Sequence, residues 1–192
     1  MSSLLVIVAS VRPTRVGGAV AEWVLEHARH RSGFEVRVAD LRELDLPPMA
    51  EPHHPRLREY TFEHTKRWSE IVDAADGFLI VMPEYNHSVS GALKNAIDYL
   101  LHEWVGKPVG LVSYDGASAG TRAAVALQAI MMGLGMVNTR ANVEISWVAS
   151  HMEDGVFVTD HRLDAVLEAE LDELETLLAE HEPPLETQYD RP

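Results

Sequence analysis

FLIVMPEYNHSVSGALKNAIDYL, residues 78–100, runs from an unbroken apolar segment through Pro83-Glu84-Tyr85-Asn86-His87-Ser88 and back to apolar residues at helical spacing. The segment 77–82 is apolar at consecutive positions, so both of its faces need cover, as in an internal strand of a parallel sheet. Leu93, Ala96, Ile97, Leu100 and Leu101 then repeat with the period of a helix that covers such a sheet. A turn this short, carrying a Glu, a Tyr, an Asn, a His and a Ser between two buried elements, implies a polar object seated against it.

The same alternation extends in both directions. LLVIVA (4–9) precedes a helix on which Val16, Val20, Trp23 and Val24 share a face, and FEVRVAD (34–40) leads to a loop at Pro47-Pro48. A helix over 57–75 feeds the strand at 77–82. After the helix that follows PEYN come KPVGLVSY (107–114), a helix from about 120 to 134, and RANVEIS (140–146) as the fifth strand. The last helix places Leu163, Val166, Leu167, Leu171, Leu174 and Leu178 on one stripe, with Glu168, Glu170, Asp172, Glu173 and Glu175 read as its solvated face. The order βαβαβαβαβα predicts one doubly wound α/β domain with a parallel sheet and right-handed crossovers, helices lying on both faces. Its expected extent is 1–181, with 182–192 a loose tail.

Composition narrows the function classes. The chain has 192 residues, no cysteine and a formal net charge of −14. Thiolate metal sites, disulfides and cysteine nucleophiles are therefore excluded, and redox work would need a bound cofactor. Scattered basic residues outnumbered by acids argue against nucleic acid. No apolar run reaches the length of a membrane span, and MSSLLVIVAS reads as a first strand and not a signal peptide, which predicts a cytoplasmic protein.

In doubly wound sheets ligands bind beyond the carboxyl ends of the strands where the strand order reverses. Three loops qualify: ASVRPTRVGG (9–18), PEYNHSVS (83–90) and DGASAG (115–120). The first joins a buried strand to a helix start and carries Ser10, Arg12, Thr14, Arg15, Gly17 and Gly18. Unpaired helical N–H groups, hydroxyls and arginine together suit a phosphate. The competing reading is a helix start capped by Ser10 or Thr14, with both arginines solvated.

ASVRPTRVGGAVAEWV and PEYNHSVSGALKNAIDYL resemble the GSxRxxR opening and the PEYN loop of the NADPH-dependent FMN reductases. The resemblance covers residues 4 to about 120 and departs at Ala9 and at DGASAG, where the family tends to carry more glycine. It implies a flavodoxin-like five-stranded parallel sheet of order 2-1-3-4-5 and non-covalent FMN. NADPH or NADH would be the electron donor, and a quinone, azo compound, metal oxyanion or free flavin the acceptor, in a ping-pong cycle. By the same resemblance Ser10, Arg12, Arg15, Val16 and Gly17 hold the phosphate, and Pro83, Glu84, Tyr85 and Asn86 meet the ring. Ser113, Tyr114, Asp115 and Gly116 flank the ring's other side. No side chain is expected to act as an acid or base, since the flavin carries the chemistry. A flavodoxin-type electron carrier and a flavin-free binding protein are the alternatives on this fold.

Other patterns read as structure. His53-His54 sits between prolines and reads as a loop, with no metal site expected. Gly133 and Gly135 follow a helix and read as its C-cap. Tyr99, Leu100, Leu101, Trp104 and the apolar fourth helix exceed what one sheet face needs. A homodimer or homotetramer is therefore expected, with Tyr85 or Trp104 of one subunit near the next flavin. Glu144, in an apolar strand, needs a partner if buried, and Arg122 is the candidate.

Overall fold

The computed structural model describes residues 1–180; the expected tail at 182–192 lies outside them. Five central segments form one parallel sheet: β1 (Ser2–Val8), β2 (Phe34–Asp40), β3 (Gly77–Pro83), β4 (Pro108–Tyr114) and a fifth position, in the order β2-β1-β3-β4-β5. The fifth position is filled by two short pieces, β5 (Val137–Asn138) and β6 (Val143–Ile145), both paired with β4. This corrects the continuous strand expected over 140–146. Between the two pieces the chain spends five steps, 138 to 143, against three on β4, 109 to 112, and so bulges out of the ladder.

Alternate side chains of the strands feed two cores, as a two-sided sheet requires. Leu5, Ile7, Phe78, Ile80, Met82 and Leu111 point to the face covered by α3 (Glu63–Asp73), α4 (Gly91–Asp98) and α5 (Thr121–Gly133). Leu4, Val6, Leu79, Val81 and Val112 point to the face covered by α1 (Gly17–Arg29) and α6 (His161–Glu180). α3 is shorter than the helix expected over 57–75, because the 3-10 turn Pro55–Leu57 ends at Arg58 in a left-handed conformation. Within that loop His54 Nδ1 accepts the Arg56 N–H at 3.1 Å. Gly135, at φ +71°, closes α5 with its N–H on Met132 O and that of Met136 on Met131 O, which is the Schellman pairing. A four-residue helix α2 (Leu41–Leu44) and a small hairpin, β7 (Met152–Glu153) with β8 (Val156–Phe157), carry no periodicity long enough to read from sequence.

Two expectations fail in the packing. Tyr99, Leu100 and Trp104 are not surplus: all three are buried in this chain's own core, and the Trp104 ring lies 4.9 Å from that of Phe78. What α5 leaves outside is Val125, 60% exposed, and Met132, 72% exposed. Glu170 is not on a solvated face. It follows Leu167 by three residues, lies on the leucine stripe and is fully buried, whereas Val166 falls off the stripe. Its Oε1 takes the Leu111 N–H at 3.2 Å, the backbone donor that the bulge between β5 and β6 leaves unpaired, and meets Thr139 Oγ1 at 2.7 Å. Gly110 makes room, since a Cβ there would stand 2.1 Å from that oxygen. No described helix is long and apolar enough to cross a membrane.

Candidate functional site

At the carboxyl edge of β1, β3 and β4 the chain forms a cleft of about 200 Å³. Ser10, Arg12, Thr14, Arg15 and Val16 line one side; Pro83, Glu84 and Tyr85 another; Tyr114, Asp115 and Val148 the third. A roomier groove of about 900 Å³ runs along α6 past Asn138 and Ala141, but its Arg140 and Glu173 are spent on each other at 2.9 Å and its Asp172 on Arg31.

The phosphate-type loop is built as an uncapped helix start. Val16 occupies the N-cap of α1 without a side-chain cap bond, and neither Ser10 nor Thr14 supplies one. Ser10 Oγ and the Tyr114 hydroxyl are both buried and unpartnered. Both lie where a Cβ on Gly17 would stand, 2.2 Å from each. Burial pushes the Tyr114 phenol up to about 12, with Ser10 acting in the opposite direction. Two orphaned hydroxyls beside free N–H groups at the positive end of a helix form a cradle for an anion with several acceptor oxygens. The residues present therefore fit the phosphate of FMN.

The two arginines differ. Arg12 is exposed and makes no ion pair among the described residues. Arg15 is committed: Nη1 donates to Ser10 O and to Asp40 Oδ1, each at 2.6 Å, and Nη2 pairs with Asp40 Oδ2. That fork holds the guanidinium in its charged form, and Asp40, though burial would raise it, is kept below the usual carboxylate range by Arg15 and the Arg42 N–H. Asp40 ends β2, in register with Val8 at the end of β1, so the sheet delivers it to the loop. Arg15 is thus spent on Asp40 and on the Ser10 carbonyl that shapes the loop, while Arg12 keeps no such partner among the described residues.

The PEYN segment closes as a two-residue hairpin. Tyr85 and Ser88 exchange backbone bonds of 2.9 and 3.0 Å around Asn86 and His87, whose φ values of 48° and 67° define a type I′ turn. The Glu84 N–H is used on Tyr114 O, so the amides left at the tip are those of Asn86 and His87, both exposed. The Glu84 side chain is buried, and its carboxylate is occupied within the fold. It takes Arg122 Nε at 2.7 Å, Nη2 at 2.6 Å and the Arg122 backbone N–H at 3.1 Å, capping α5. Burial would raise Glu84, but these bonds keep it in its charged form. Arg122 is therefore not the partner of Glu144, which is exposed and accepts from Thr121 Oγ1 at 2.5 Å. Ser90 caps α4 through its hydroxyl and donates to Ala9 O at 2.9 Å, tying the hairpin to the phosphate loop.

Of the third loop, Tyr114 and Asp115 line the cleft. Ser113 does not: it is buried, and its hydroxyl holds Ala119 O at 3.0 Å. Gly17 leaves the space that Ser10 and Tyr114 need, and neither it nor Asn86 or Gly116 is among the residues lining the cleft. Sequence reasoning missed Asp40, Ser90 and Val148 and gave Arg122 the wrong acid, because each of these residues meets a partner 25 or more positions away in the chain.

Residues 2–148 match the model of the NADPH-dependent FMN reductases. The chain belongs to that family. It is 39% identical over 129 residues to the NAD(P)H-dependent FMN reductase ntnL of Nectria sp., a stretch covering 64% of this chain and 64% of the relative. It is 42% identical over 119 residues to the NAD(P)H-dependent FMN reductase C4B3.06c of Schizosaccharomyces pombe, covering 61% and 60%. The chain thus spans less than two thirds of the length of both of these curated relatives. In fold it is similar to FerB, a flavoenzyme NAD(P)H:(acceptor) oxidoreductase from Paracoccus denitrificans, with a TM-score of 0.76 at 24% identity, over 94% of this chain and 99% of that one.

Proposed function

We propose that this FMN reductase family member is an FMN-dependent oxidoreductase that takes hydride from NAD(P)H and passes electrons to a small acceptor such as a quinone or an azo compound. The observation that carries this reading is the cradle of uncapped α1, Ser10, Tyr114 and unpaired Arg12 next to an exposed hairpin tip. Bound FMN would supply the redox chemistry, accepting hydride and releasing electrons in alternate half-reactions. The chain's own residues bind and orient. Arg12 and the α1 amides neutralise the phosphate, the Asn86 and His87 amides offer donors to ring carbonyls, and Tyr114 and Val148 keep water from the inner wall.

We place the protein in the cytoplasm as one domain, acting on small molecules and not on nucleic acid or membranes. The outward face of α5, with Val125 and Met132, is the contact of a two-fold dimer that can pair into a tetramer. The test of function is the visible spectrum of the purified chain after loading with FMN. Bleaching on anaerobic addition of NADPH or NADH, reversed by a quinone, supports the reading. A flavin band that neither nicotinamide bleaches assigns an electron carrier, and no retained flavin overturns the reading.

A further inference from the structure

The loop after β6 holds a residue that packing does not explain. Trp147 is 62% exposed and sits at φ 51°, ψ 43°, left-handed backbone that costs a bulky side chain conformational energy. The segment is nonetheless firmly held. The Trp147 N–H donates to Gly116 O at 2.8 Å, the Val148 N–H to Asp115 O at 3.0 Å, and Trp147 O accepts from the Ser150 N–H at 2.7 Å and its hydroxyl at 2.8 Å. The turn has a clear purpose for its neighbour, since it buries Val148 in the cleft wall. A glycine at 147 would make that turn at lower cost. Instead the chain carries an indole there, gaining little burial and leaving a large apolar face in water. The indole lies against the 115–120 loop, its Cζ3 3.9 Å from where a Cβ on Gly116 would stand, at the rim of the cleft lined by Asp115 and Val148.

We propose that Trp147 is a specificity-determining residue for the electron acceptor: its exposed face is a platform on which a planar aromatic acceptor of the quinone class stacks at the rim of the cleft. The proposal rests on the oxidoreductase reading above. An indole offers a flat, polarisable surface whose attraction for another ring is lost for a compact, non-planar acceptor. Because the backbone at 147 is pinned by both neighbours, the platform is oriented before the acceptor arrives, so little ordering cost falls on binding.

The test uses the full chain loaded with FMN, comparing wild type, Trp147→Ala and Trp147→Phe. Anaerobic reduction by NADPH and retention of FMN should be the same in all three. For a naphthoquinone, kcat/KM should fall about 2- to 10-fold in Trp147→Ala, the range of one aromatic pair, and recover in Trp147→Phe. For ferricyanide it should not change. An unchanged kcat/KM for the naphthoquinone, or an equal fall with ferricyanide, overturns the proposal. So does a lower sedimentation mass for Trp147→Ala, which would make the indole a subunit contact. Failure of wild type to be reduced by either nicotinamide shows first and separately, and overturns the oxidoreductase reading itself.

Discussion

Glu170 should make this protein less stable as pH rises from about 4.5 to about 7, and Glu170→Gln should remove that dependence. Burial raises the carboxyl from 4.5 to about 7, with the bonds from Thr139 and the Leu111 N–H only partly opposing it and nearby Glu173 adding to it. Thr139 Oγ1 has one hydrogen and three oxygens in reach: Glu170 Oε1 at 2.7 Å, Ala141 O at 3.1 Å and Val109 O at 3.4 Å. A protonated Glu170 can donate to Thr139, freeing the Thr139 hydrogen for Ala141, so the neutral form satisfies the network better than the charged one. The folded state therefore holds its proton more tightly than the unfolded chain. The stabilisation is complete below about pH 4.5, declines as pH rises, and is lost above about pH 7. A shift of 7 − 4.5, about 2.5 units, corresponds to roughly 3 kcal/mol. At this chain length that is a difference of about 6–12 °C in Tm. Thermal or urea unfolding of both proteins from pH 4.5 to 8 isolates the effect, because the groups that do not interact with Glu170 cancel in the difference. The stability of Glu170→Gln relative to wild type should rise by about 3 kcal/mol across that range. Curves that run parallel would refute the reasoning and place a charged, satisfied carboxylate at this position.

Arg12→Ala should weaken FMN binding by about 1.5–3 kcal/mol, the loss of a charge-assisted bond, and leave riboflavin binding nearly unchanged; equal losses, read by titration calorimetry, would separate Arg12 from the phosphate. Arg15→Ala should weaken both flavins and lower Tm, because it strands the half-buried Asp40 carboxylate and frees the loop; Asp40→Asn should reproduce the loop effect while restoring part of the Tm. Gly17→Ala improves helix propensity by up to about 1 kcal/mol, yet its Cβ would meet Ser10 Oγ and the Tyr114 hydroxyl at 2.2 Å, so FMN retention should fall even where stability does not. Light scattering should give two or four times the chain mass of 21.4 kDa, and Met132→Glu should lower it; a wild-type monomer would remove α5 as a contact.

The sheet and its helices were legible because the signal for them is local and repeated. A strand covered on both faces has to read as apolar at successive positions, and 77–82 and 108–112 do, with both segments buried at every position. The fifth strand was misread for the same reason. RANVEIS has strand composition, but a bulge is set by how many residues the neighbouring strand spends, which no single segment records. The Glu170 stripe was legible and was passed over: three residues after Leu167 and one before Leu171, it falls on the buried face by spacing alone, and only the habit of reading acids as solvated hid it.

Arg12 and Arg15 show where sequence reading ends. Two arginines three residues apart in one loop offer the same donors, and composition cannot say which is free. The decision comes from β2 lying beside β1, which brings Asp40 to Arg15 and leaves Arg12 facing outward. Glu84 and Arg122 follow the same logic, an acid in the ring loop neutralised by the start of the next helix across β4. Both pairings remove from the cleft a charge that the motif seemed to offer it. What remains for a phosphate is one exposed cation, two orphaned hydroxyls and the open end of α1, a balance suited to a dianion in a chain of net charge −14. The motif thus names the loops that meet at the cleft, but the crossovers decide which of their charged residues are paired within the fold and which are left open.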